Sequence, residues 1–130
     1  MTDGRESSAD SRAFVVLAHT DRHGPHYDLM IDLGERLATW KCLLPPEQSG
    51  AAGQTCERLA DHRRIYLDYE GPISGDRGHV RRHDAGACTV LEQTDELWLV
   101  KFAGRHLIGR YELVRQPAAP QSWELRPSNR

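Results

Sequence analysis

From Ile65 onward the chain repeats one motif: a short apolar, β-branched or aromatic run, then a glycine or a polar break, at intervals of about ten residues. The segments HVRRHD, ACTVLE, ELWLVKF, GRYELVR and SWELR follow one another this way, punctuated by Gly71, Gly75, Gly78, Gly86, Gly104 and Gly109. Strands so short and so closely spaced have room for hairpin turns and none for crossover helices. The expected fold is therefore mainly β, a small closed antiparallel β barrel or sandwich.

The first half fits the same plan. AFVVLA (13–18) is a Val-rich run of the kind that forms a buried strand. HYDLMIDL (26–33) alternates, with His26, Asp28, Met30 and Asp32 on one face and Tyr27, Leu29, Ile31 and Leu33 on the other. Leu-Gly-Glu-Arg (33–36) reads as a hairpin turn into the returning strand RLATWKCLL, and PPEQSGAAGQ (45–54) as a loop. TCERLADH (55–62) is the predicted helix, with Thr55 as its N-cap. Residues 1–12, polar and Ser/Gly-rich, are expected to form a disordered arm, 13–126 a single domain and 127–130 a short tail.

Composition excludes several classes. No apolar run approaches the roughly 18–20 residues of a spanning helix, and MTDGRESSADSR has no secretory core, so the expectation is a cytoplasmic monomer away from membranes. Cys42, Cys56 and Cys88 are odd in number and form no CxxC pair; they read as buried thiols. Trp40, Trp98 and Trp123 read as core. A net charge of −2 does not describe a protein that coats nucleic acid. Locally, RGHVRRH (77–83) carries three arginines and two histidines without an acid, which suits either a few phosphates or a charged strand edge. P-loop, GxGxxG, GxSxG and HExxH patterns are absent.

Two clusters carry chemistry. HTDRHGPHYDLM (19–30) places His26 and Asp28 two apart on one strand face, and imidazole with carboxylate suits a divalent transition ion. His19 is the natural third ligand and His23 competes with it; the alternative is a polar loop before an ordinary strand. DHRRIYLDYEGPISGDRG (61–78) mixes tyrosines with acids and ends in Gly-rich turns. There His62 is suited to binding a phosphate or donating a proton, and a purely structural turn is the other reading.

Together these elements resemble the 3′-phosphoesterase domain of bacterial DNA ligase D. FVVLAH then HYDLMIDL, LATW, DHRRIYLDYEG, FAGRHLIGRYELVR and SWELR follow in that family's order over about residues 13–126. The resemblance implies a compact β barrel with one or two short flanking helices, and a Mn²⁺ site (Zn²⁺ or another divalent transition ion as alternatives) held by His19, His26 and Asp28. It implies His62 and Tyr66 as catalytic residues. Arg58, Arg77, Arg81 and Arg82 are then candidates for substrate phosphates. The implied activity is removal of a 3′-phosphate or terminal ribonucleotide from DNA or RNA–DNA ends, beside a separate ligase or repair polymerase; a binding module of the same fold without turnover is the alternative. The family's arginine two residues after the metal aspartate is Met30 here, its arginine upstream of the active-site histidine falls on Gln54, and the His19–His26 loop is one residue longer.

Overall fold

The computed structural model describes residues 11–130, and among them nine strands carry almost all the regular structure. They are β1 (Ser11–Asp21), β2 (Gly24–Asp32), β3 (Arg36–Cys42), β4 (Gln54–Arg63), β5 (Gly71–Pro72), β6 (His79–Gln93), β7 (Leu97–Ala103), β8 (Ile108–Gln116) and β9 (Ala119–Pro127). The sheet runs β1-β2-β3-β4-β9-β8-β7-β6-β5, and β1 also pairs with β6. That pairing closes eight antiparallel strands into a barrel, with β5 a two-residue appendage on β6. The expected small barrel is what forms, and its flanking helices are single 3₁₀ turns at Pro46–Gln48 and Arg64–Leu67.

The helix predicted over 55–62 is instead β4, paired with β3 on one side and β9 on the other. Eight residues of helix are too few to be stable alone, whereas two strand neighbours satisfy the backbone of this segment. The helix reading rested on Thr55 as an N-cap and on polar Arg58 and Asp61, three residues apart. A bulge lies in the same segment: Thr39 pairs with Leu59 and Leu37 with His62, so β4 carries an extra residue and its alternation slips. HVRRHD and ACTVLE, expected as two strands, are one 15-residue strand, β6. The arm expected at 1–12 falls outside the described residues up to position 10; Ser11 and Arg12 begin β1. The tail is tied down, because buried Glu112 takes hydrogen bonds from Arg126 and Ser128 and an ion pair from Arg130.

Apolar side chains gather on both sides of the wall. Inside the barrel lie Phe14, Val16, Leu29, Ile31, Phe102 and Leu113, with Trp40 edge-on to Trp98 and Trp123 at 5.1 and 5.7 Å. All three cysteines are buried, and burial pushes the Cys88 thiol up to about 12. Outside, Val15, Leu17, Met30, Leu37 and Val80 form a second cluster beneath Tyr66, Leu67, Tyr69 and Ile73 of segment 64–78. Both faces of β2 are thus buried, Leu29 and Ile31 inward and His26, Asp28 and Met30 outward under this flap.

Asp84 holds the β7–β8 hairpin in place. Its buried carboxylate accepts the backbone N–H groups of Ala85, Arg105, His106 and Leu107 at 2.7–3.0 Å. Burial pulls the carboxyl upward, but these donors outweigh it and hold it below its ordinary value of 3.8. Its contribution to stability is therefore complete above the ordinary carboxylate range and is lost as pH falls through the lowered folded value. Asp84→Asn is expected to lower unfolding free energy by about 1–3 kcal/mol in urea titrations at pH 7. The difference from the parent protein should shrink as pH falls through the acid limb.

Candidate functional site

The face of β2 that alternates outward meets β1 across a fixed register. His19 lies opposite His26, and Asp28 stands two residues along from His26. His19 Nδ1 donates to Asp28 Oδ2 at 3.0 Å, and His26 Nε2 lies 3.2 Å from Asp28 Oδ1. His26 and Asp28 are buried, and His19 is half-buried. The Arg77 carbonyl, which can only accept, receives His19 Nε2 at 2.8 Å. The hydrogen bond to Asp28 raises the His19 pKa, and burial of the ring opposes it. Burial pulls the Asp28 carboxyl upward, and the hydrogen bond from His19 together with the adjacent His26 imidazole more than reverses it.

These residues fit a divalent cation. Asp28 Oδ1 is a buried oxygen with no hydrogen-bond partner, despite the His26 nitrogen 3.2 Å away. Ligands at about 2.0–2.2 Å from one small ion stand roughly 3 Å apart, which matches the spacing of both imidazoles from the carboxylate. With Nε2 of His19 committed to a carbonyl, Nδ1 is the atom that would ligate an ion, giving up its proton and its bond to Asp28. A further carboxylate, absent from the sequence reading, joins them: ligand atoms of His19, Asp21 and His26 all lie within 4.8 Å of one another. Its signal was the i, i+2 spacing of His19 and Asp21 on one strand. The His23 N–H bonds Asp21 Oδ1 at 2.8 Å, which lowers the Asp21 pKa and orders its carboxylate. His23 itself is exposed in the turn and does not join the converging atoms.

His62 and Tyr66 reach the same place from β4 and the flap. A cavity of about 70 Å³ is walled by His19, Asp28, His62, Tyr66 and Arg77, and also by Leu17, Met30, Ile73 and Val80. His62 Nδ1 donates to the Ala60 carbonyl at 2.8 Å, leaving Nε2 for a ligand, and its ring stands 6.0 Å from that of Tyr66. The 3₁₀ turn between them is pinned by Arg64, whose Nε and Nη2 grip the two Asp32 carboxylate oxygens at 2.9 and 2.8 Å. Such an exposed pair contributes only about 0–1 kcal/mol; its bidentate geometry sets position.

Of the four arginines expected at phosphates, only Arg77 lines this cavity, its guanidinium resting on the Ser74 carbonyl at 2.7 Å. Arg82 is spent on the flap, with its N–H on Glu70 and its guanidinium on the Leu67 carbonyl. Arg81, next along β6, points away from the face of Val80 and Arg82 and is exposed. Arg58 is on the wrong side of the wall: it pairs with Trp40 on β3 and stacks over that ring at 4.4 Å, above the barrel interior. It was assigned to phosphate as part of a helix, and the strand turns it inward. Met30, in the position of the family's arginine, is 2% exposed within the outer apolar cluster.

Gly78 allows the flap to approach. At φ +86°, a Cβ there would sit 1.9 Å from the Thr20 carbonyl oxygen and 2.8 Å from Asp21 Cα. Gly78→Ala must push residues 77–78 off β1 and break the Arg77–His19 contact. The expected results are a loss of about 1–3 kcal/mol in thermal unfolding and displaced His19 ring-nitrogen resonances; an unchanged His19 spectrum would contradict this packing.

The chain matches the family model described as the DNA Ligase D 3′-phosphoesterase domain over residues 17–115, a span that includes every residue of the cavity. No curated protein matches it.

Proposed function

The chain belongs to the DNA ligase D 3′-phosphoesterase domain family, and from that footing we propose that it is a divalent-metal-dependent phosphoesterase that heals nucleic-acid 3′ ends. The observation that carries this reading is the meeting of His19, Asp28 and His62 in one cavity, with the Asp28 oxygen that lacks a hydrogen-bond partner 3.2 Å from buried His26. Mn²⁺ is the proposed ion, with Zn²⁺ or another divalent transition ion as the alternative, and it would supply Lewis-acid polarisation of a phosphate oxygen. His19, His26 and Asp28 would hold it, with Asp21 on the exposed side.

The chain's own groups do the rest. His62, oriented by the Ala60 carbonyl, presents Nε2 to the phosphate and, protonated, neutralises developing charge or gives the leaving oxygen a proton. Tyr66 donates a hydrogen bond from the flap. Arg77 exchanges its Ser74 contact for a phosphate oxygen. The substrates are DNA or RNA–DNA 3′ ends in the cytoplasm, handed on to a separate ligase or polymerase.

A second reading rests on Met30. Without a guanidinium at that position the phosphate loses a contact whose removal costs on the order of 10²–10³ in rate. A domain that binds ends without turning them over is the extreme of that loss. One assay separates the two: with Mn²⁺, the protein is expected to release phosphate from a 3′-phosphorylated primer–template, and chelation to stop it. His62→Ala should lower the rate by about 10²–10⁴, and His26→Ala should abolish Mn²⁺ binding in calorimetry along with release. Tight end binding with no release under any divalent ion would favour the second reading. Release that survives both substitutions would overturn the site.

A further inference from the structure

Beyond Tyr66, on the side of the flap away from the cation ligands, lies a recess of about 230 Å³. Tyr66 and Ile73 line both it and the phosphate cavity, so the two share a wall. Tyr69 meets Tyr66 edge-on at 6.0 Å, Ile65 in the lining is 57% exposed, and Pro72 lines the recess beside them. The Arg63 guanidinium stands 6.0 Å from the Tyr66 ring and forms no ion pair among the described residues. No carboxylate lines the recess.

We infer that this recess is a nucleobase subsite, which takes the base of the 3′-terminal nucleotide while its phosphate occupies the cavity on the other side of Tyr66. The inference rests on the end-processing reading given above and adds the binding determinant for it. A base is planar and apolar on its faces, which suits tyrosine edges and aliphatic side chains; the phosphate on the 5′ side of that nucleotide suits Arg63. Stacking of this kind is tolerant of base identity, since every base offers a π-face. The site therefore discriminates a base-bearing end from an abasic one, without preference for sequence. It also assigns Ile65, which is otherwise a large apolar side chain exposed without a partner, a place in substrate binding.

The test uses the full chain and 3′-phosphorylated oligonucleotides carrying 2-aminopurine at the terminal nucleotide, carrying it far from the end, or ending in an abasic nucleotide. Binding should change the fluorescence of terminal 2-aminopurine and leave the distant probe unaffected. Affinity for the abasic end should be lower by about tenfold to a hundredfold. Ile65→Ser should erase most of that difference while leaving abasic-end affinity unchanged; Arg63→Ala, also at an exposed position, should weaken both ends. Equal affinity of the parent protein for the two ends would overturn the subsite, as would an Ile65→Ser effect of the same size on both. Phosphate release is measured on the same oligonucleotides. Base-dependent binding without release would overturn the phosphoesterase reading and leave the subsite, whereas release without base dependence would overturn the subsite alone. Neither binding nor release would overturn both.

Discussion

The pairing of β1 with β6 is the constraint on which everything else depends. It is the seam that turns an eight-strand sheet into a barrel, and it runs from Ser11↔Thr89 to Thr20↔His79. The register breaks between Val16 and Leu17, where His83 is the extra residue on β6. A bulge bends and twists a strand locally, and here it divides β6 into two roles. Beyond the break Cys88 and Val90 face the barrel core, while before it Val80 faces the outer cluster and Arg82 braces the flap. One strand can therefore help build the barrel and roof the site only because it is kinked at this point.

The site turns the same wall to chemical use. A carboxylate buried as deeply as Asp28 is costly to keep ionised unless it is paired and hydrogen-bonded. Two imidazoles on adjacent strands provide that partnership, one of them held in turn by a main-chain carbonyl of the flap. The ligand-rich face of β2 is thus neither solvent nor core. It is sandwiched between a rigid barrel and a segment latched at one end by Arg64 on Asp32, braced by Arg82 on Leu67 and Glu70, and held at the other end by the Arg77 carbonyl on His19.

What the amino-acid sequence disclosed and what it concealed divide along a physical line. Period-two patterning is set by the strand itself, so the facing of His26, Asp28, Leu29 and Ile31 was readable without coordinates. The barrel followed from the spacing of the later strands. Bulges are not written in local pattern, and two of them went unread: the one at Leu59–His62 lies where a helix was expected and Arg58 was given a helical facing, and the long bent β6 looked like two strands. Asp21 escaped notice because its role depends on where His26 arrives from another strand. The sorting of the arginines was equally hidden, since guanidinium partners such as the Leu67 carbonyl and the Trp40 ring are brought near only by tertiary structure.

The three tryptophans, gathered in one contact group inside the barrel under Arg58, have a spectroscopic consequence. All the indole emission of this chain originates on the side of the wall opposite the cation ligands. That signal reports the integrity of the barrel interior, and it is poorly placed to register an occupant of the phosphate cavity. Of the four tyrosines, Tyr66 is the one that lines that cavity, so an occupant would be felt in the tyrosine band rather than in the indole band.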